Sequence, residues 1–231
     1  MHSILQDMTA GPALHASYLA KVTSVQDPDK RNRVQIRLLS FDGVGEQNGP
    51  VWARVAVPFA GSNRGAFLIP DVGDEVVVTF LNGDSRFPIV VGGLWNGKDA
   101  APETLGGAGD EVDRWSIVGK KGTRIAIEEQ ASGQPTIRLT TPGNVSAEVT
   151  DSGGGKVEIK AGGCTITIDP TGISIQTGAK VQVKASQIDI TAGQVNVNAA
   201  MSKFSGMVKC DVLQATTVIG TTYTPGVGNV W

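Results

Sequence analysis

The sequence predicts an all-β chain in two unlike parts: a small N-terminal barrel, then a rod of short repeated strands. Two observations support this. First, aliphatic pairs recur late in the chain, at Val157/Ile159, Ile166/Ile168, Ile173/Ile175, Val181/Val183, Ile188/Ile190 and Val195/Val197. Val157 to Val195 is 38 residues in five steps, about 7.6 per step. An apolar-polar-apolar triplet is a strand with one buried face. A strand every eight residues leaves no room for helices and reads as stacked rungs of a β-solenoid. Second, the first hundred residues carry five separate strand signals divided by turns. The 30 glycines and 5% aromatic content suit such a turn-rich chain.

Taken in order, residues 1–16 are an arm whose first eight residues have helical character, broken at Gly11-Pro12. Residues 17–96 contain the five strands. Tyr18–Val22 and Val34–Leu38 flank a turn at Asp27-Pro28-Asp29-Lys30, and Trp52–Val57 is the third strand. A glycine-bounded loop, Gly61–Ala66, precedes the fourth at Glu75–Phe80, and an Asn82-Gly83-Asp84 turn leads to the fifth at Pro88–Val91. Five strands with one longer excursion suit a small Greek-key barrel such as the OB-fold. Residues 97–112 form a linker rich in Gly, Ala and Pro.

The shaft is expected over 113–219. Its first strands, Trp115–Val118, Thr123–Ile127, Thr136–Leu139 and Val145–Val149, are separated by wider turns than the later rungs. A rung of eight residues has one inward pair, too little to enclose a core, whereas a single-chain solenoid uses about 20 or more residues per turn. Unpaired strands would also be open edges. Winding three chains together closes each rung, so the shaft is expected to be an intertwined trimeric, triple-stranded β-helix. The twelve paired aliphatic residues, Val157 to Val197, form its core. Residues 220–231 break the period and read as an end segment.

The stretch Pro70-Asp71-Val72-Gly73-Asp74-Glu75-Val76, then Asn82-Gly83-Asp84, then Pro88-Ile89-Val90-Val91-Gly92-Gly93-Leu94-Trp95-Asn96 closely resembles the OB module of contractile-tail spike proteins. That family includes phage baseplate assembly protein V and the valine-glycine-repeat spike of type VI secretion. The likeness covers Tyr18–Asn96, including an opening hairpin through Ala20-Lys21-Val22 and Arg33-Val34-Gln35-Ile36. The resemblance implies a homotrimeric structural spike, with no catalytic residue, cofactor or metal. It would sit at the tail baseplate of a virion or phage-like particle, assemble in the bacterial cytoplasm, and be driven through the target membrane on sheath contraction. The chain has no room for the hub domain of larger relatives, so a separate hub protein is expected on the barrel side. It has no inserted lysozyme domain, and His2 and His15 lie far from any His-x-His tip site. A separate tip protein of the proline-alanine-alanine-arginine repeat type is therefore expected at Tyr223, Pro225, Val227, Val230 and Trp231. The alternative is a β-solenoid tail fibre that binds a receptor or degrades polysaccharide; the insertions that would build a sugar groove are not evident.

A net charge of −2 provides no broad basic field for nucleic acid. Trp52, Phe59, Phe67 and Phe80, with Arg54, Arg64 and Arg86, could in principle form a stacking groove on an OB barrel, but Trp52 and Phe80 are expected in the core. Adjacent strand residues face opposite ways, so Asp74 and Glu75 cannot act as an acid/base pair. With Asp84 they read as turn residues, as does Glu128-Glu129. Asp169, Asp189 and Asp211 arrive singly among Lys156, Lys160, Lys180 and Lys184, the pattern of a solvated rod surface. Gly153-Gly154-Gly155 is a turn. Cys164 and Cys210 are expected to be small buried thiols. No apolar run approaches the ~20 residues of a membrane span, and Met1–Ala16 lacks the pattern of a secretory signal.

Overall fold

The computed structural model describes residues 15–41, 49–105, 110–130 and 133–222. The chain divides into two units, Met1–Lys180 and Val181–Trp231. The proposed tip residues 223–231 and residues 1–14 of the arm lie outside the described residues.

In the first unit, β1 (Tyr18–Ser24), β2 (Val34–Leu38), β3 (Val51–Val55), β6 (Glu75–Phe80) and β7 (Pro88–Leu94) close into a barrel in the order β1-β2-β3-β7-β6. A two-residue hairpin, β4 (Ala60–Gly61) with β5 (Arg64–Gly65), stands within the excursion. All neighbours in the barrel are antiparallel except β3 and β7, where Arg54 pairs with Ile89 and Val55 with Val90. Alternate side chains point inward: Ala20 and Val22, Val34 and Ile36, Ala53, Val76 and Val78, Phe80, and Val90 form one buried cluster. Closure gives this small sheet an interior without help from other elements. Tyr18 packs edge-on against Phe80 with ring centroids 5.6 Å apart.

The turns follow the expected chemistry. The Asp27 carboxylate accepts from the backbone N–H of Asp29, Arg31 and Arg33 and from the Arg33 guanidinium, the closest contact being 2.7 Å. The hydrogen bond from Arg33 is the main reason its carboxyl lies well below the usual carboxylate range. Between β6 and β7, Asn82 and Gly83 both adopt positive φ, 53° and 73°, the conformations that Asn and Gly tolerate best. One expectation is corrected. Ala53 occupies the inward position on β3, so Trp52 faces outward, half-buried, with the Arg33 guanidinium 5.8 Å from its ring centroid.

Within 113–219 the chain takes two forms. Strands β8 (Arg114–Val118), β9 (Arg124–Glu128), β10 (Thr136–Thr140), β11 (Ser146–Thr150), β12 (Lys156–Ala161), β13 (Cys164–Asp169) and β14 (Gly172–Thr177) make a seven-stranded sheet in sequence order. Every neighbouring pair is antiparallel. The connections are two to seven residues long, short enough for each strand to fold back on the last. In the single chain this part is therefore a meander rather than a set of wound rungs. In the second unit, residues 181–222 carry no strand pairing among the described residues.

Candidate functional site

The seven-stranded sheet brings its aliphatic residues into register. Ile117, Ile125, Leu139, Ala147, Ile159, Ile166 and Ile175 form one unbroken row across all seven strands. Trp115, Ile127, Ile137, Val149, Val157, Ile168 and Ile173 form a second beside it. Residues two apart on a strand share a face, so both rows lie on one side. Each row runs about 29 Å, six spacings of ~4.8 Å. This side is open to solvent in the single chain. Ile166 is 38% exposed, Ile168 45% and Ile173 72%, and Val157 and Ala147 are half-buried.

The other side is polar and better covered. Ala126 and Thr150 are buried there, and the charged groups between them are linked. The Arg138 guanidinium bridges Glu128 at 3.2 Å and Glu148 at 3.0 Å. Arg124 holds Glu128 at 2.7 Å and grips Glu103 with two parallel bonds, 2.7 and 2.9 Å. Those bonds, chiefly from Arg124, pull the Glu103 carboxyl down to about 2. Glu103 belongs to the linker, so this pair straps the linker to the sheet. Lys156 and Lys160 flank Glu158 at 3.5 and 2.5 Å. At the barrel end, Lys120 pairs with Asp71. An extended apolar face this exposed is a candidate interaction surface, because fourteen aligned side chains left in water are unfavourable.

Of the twelve residues singled out from the sequence, Val157, Ile159, Ile166, Ile168, Ile173 and Ile175 fall in these two rows. Val181, Val183, Ile188, Ile190, Val195 and Val197 lie in the second unit and are all exposed in the single chain. The sequence reading omitted Trp115, Ile117, Ile125, Ile127, Ile137, Leu139, Ala147 and Val149. Except at Ile125-Ala126-Ile127, they show the same apolar-polar-apolar triplets, at wider spacing.

The carboxylates stand elsewhere. Asp74 accepts from the Asp71 N–H at 2.8 Å and Glu75 from the Asn96 side-chain amide at 2.8 Å. Asp84 pairs with Arg86 at 2.6 Å, which draws its carboxyl down to about 2. Glu128 belongs to the Arg network, while the Glu129 N–H donates to the Asp113 carbonyl at 2.7 Å. Asp169 closes the β13–β14 turn by accepting from Thr171, and Asp189 accepts from the Gln187 amide. Asp211 is among the described residues of the second unit. Gly153–Gly155 connect β11 to β12 with positive φ. Phe80 is core, whereas Phe59 and Phe67 stand exposed beside the β4–β5 hairpin. Cys164, on β13, and Cys210, in the unpaired second unit, are exposed in the single chain rather than buried, because no described residue covers them; the Cys164 thiol contacts the Thr177 hydroxyl at 3.0 Å.

Two family models match, in this order along the chain. Residues 18–95 match the type VI secretion system/phage-baseplate injector OB domain, and residues 136–203 match the phage baseplate V C-terminal trimerisation domain. The chain belongs to the phage-baseplate and type VI secretion spike family. Its closed barrel is the family's OB domain, and its exposed rows from β10 to β14 lie inside the trimerisation domain. Among relatives, the type VI secretion system spike protein VgrG1a of Pseudomonas aeruginosa is 36% identical over 83 residues, 36% of this chain and 13% of the relative. VgrG3 of Vibrio cholerae, also a type VI spike protein, is 48% identical over 54 residues, 23% of this chain and 5% of the relative. The actin cross-linking toxin VgrG1 of Vibrio cholerae is 41% identical over 61 residues, 26% of this chain and 6% of that protein. The match thus spans a small part of these relatives' length.

Proposed function

We propose that the chain is a structural spike of a contractile injection apparatus, in which three copies assemble through the apolar face into a stiff shaft that pierces the target envelope. The observation that carries this reading is the pair of unbroken apolar rows, solvent-exposed in one chain, whose five later strands lie within a trimerisation domain. Three such sheets, one to a side, would enclose the rows in a common interior, with the Arg/Glu network on the outside. The core would run from Trp115 to Ile175 and continue through the pairs Val181/Val183, Ile188/Ile190 and Val195/Val197. These last have no strand partner in their own chain and would gain one by winding around two others as the triple-stranded β-helix.

In this reading the barrel faces a separate hub protein of a tail or secretion baseplate. The end segment, with Tyr223, Pro225, Val227, Val230 and Trp231, takes a tip protein, and the target membrane is met only at firing. The role is mechanical and needs no catalytic group. Sedimentation velocity or mass photometry of the purified chain tests it. The expected species is near three times 24.0 kDa; a well-folded monomer would leave the apolar rows without an explanation and end the proposal.

A further inference from the structure

The barrel carries a second surface, distinct from the apolar rows of the sheet. A groove of about 560 Å³ beside the β4–β5 hairpin is lined by Arg31, Arg54 and Arg64 together with Val57, Phe67 and Ile69. Among the described residues no acidic side chain lines it, and none of the three arginines makes an ion pair with another described residue. Phe67 is 75% exposed. Three guanidiniums around an exposed ring suit a segment that presents carboxylates next to an aliphatic side chain.

The chain contains such a segment. Asp110, Glu111 and Val112, at the end of the linker, are exposed, and the two acids make no ion pair among the described residues. The arginine groove shares Asn32, Phe67 and Ile69 with a second groove at the junction of barrel and sheet, which Val118 and Lys120 line. Val118 ends β8, whereas Asp113 precedes its start, so about 17 Å of strand separates them. If three copies form a three-sided shaft with their strands across its axis, the start of β8 in one copy would stand beside the end of β8 in the next. Closed three-fold assemblies use such head-to-tail contacts, where two different patches meet. Each acidic segment is thereby brought to the neighbour's junction.

We propose that Asp110–Val112 of each copy docks in the arginine groove of the next, locking the three barrels around the top of the shaft. This rests on the trimeric reading. The test uses the full chain and a dilution series followed by sedimentation. Arg54→Glu with Arg64→Glu, and separately Asp110→Arg with Glu111→Arg, each raise the midpoint concentration for dissociation by roughly tenfold. Combining all four substitutions in one chain restores it. Independently, Arg64→Cys with Glu111→Cys, in a background with Cys164→Ser and Cys210→Ser, gives interchain disulfides on oxidation. A wild type that is trimeric and whose midpoint ignores both reversals overturns this inference alone, as does failure of the combined variant to recover. Binding of a single-stranded oligonucleotide that Arg54→Glu with Arg64→Glu abolishes, with assembly unchanged, assigns the groove to nucleic acid and overturns it too. A monomeric wild type removes the reading beneath it.

Discussion

The barrel and the seven-stranded sheet use strands of similar length with the same alternation of aliphatic and polar residues, yet place the aliphatic side in opposite environments. In the barrel, Val22, Ile36, Val76 and Val78 are sealed within one chain. In the sheet, Ile127, Ile137 and Ile168 face outward, and the Arg/Glu side is the one partly covered. The difference lies in closure. A five-stranded sheet that joins its first strand to its last has an inside; an open meander has two faces and can bury only one against its own chain. Here the linker, through Glu103, covers part of the polar face, leaving the apolar face exposed in the single chain.

Four substitutions break or sharpen that contrast, and the largest effect is expected on the open sheet. Ile137→Asp places a carboxylate in the middle of a row that three copies would bury, at several kcal/mol per uncompensated charge. Sedimentation should show loss of the trimer. A trimer that persists would mean that the rows do not meet. Ile36→Ala acts on the closed region, where it should cost about 2–5 kcal/mol of barrel stability by urea denaturation, with the shaft still trimeric. Loss of assembly with it would mean that the two regions are not independent.

A smaller, local effect is expected at the strap. Glu103→Gln removes the charge from a bidentate pair, so hydrogen exchange in 97–105 should rise by roughly tenfold while the barrel strands keep their protection. The pH dependence has a defined sign. The Glu103 carboxyl sits at about 2 when folded against an ordinary value of 4.5. The strap's contribution is therefore complete above the ordinary value and is lost as pH falls from there toward about 2. Exchange in 97–105 that is insensitive to acid across that window would contradict the assignment. The smallest change is Asp27→Asn, which should lower the thermal midpoint of the barrel near neutral pH and flatten its acid dependence below about 4, where the Asp27 carboxyl of the unfolded parent chain takes up a proton that the folded chain still resists. An unchanged acid dependence would show that the turn does not need the charge.

Much of this was legible because local chemistry and tertiary structure agree. The bounds of β2 and β6 follow the alternation in Val34–Leu38 and Glu75–Phe80, and the Asn82-Gly83 turn forms where positive φ is tolerated. Periodicity could not reveal which way the strands of the shaft run. A triplet such as Ile166-Thr167-Ile168 satisfies a wound rung and an antiparallel meander equally, and the two-residue connections on either side of β13 decide for the meander. Trp52 was misplaced because alternation puts either Ala53 or its large neighbour inside, and only closure of the barrel selects the smaller. The Glu103–Arg124 strap joins residues 21 apart through a linker with no pattern, so no local signal existed for it.

By itself, the sequence determined the all-β class, the order of barrel and shaft, and which residues share an apolar side, since these depend on a period of two and on turn residues. Only the tertiary structure decided which side of each strand is sheltered, because that depends on whether the sheet closes, where the linker lies, and which groups remain without a partner in their own chain.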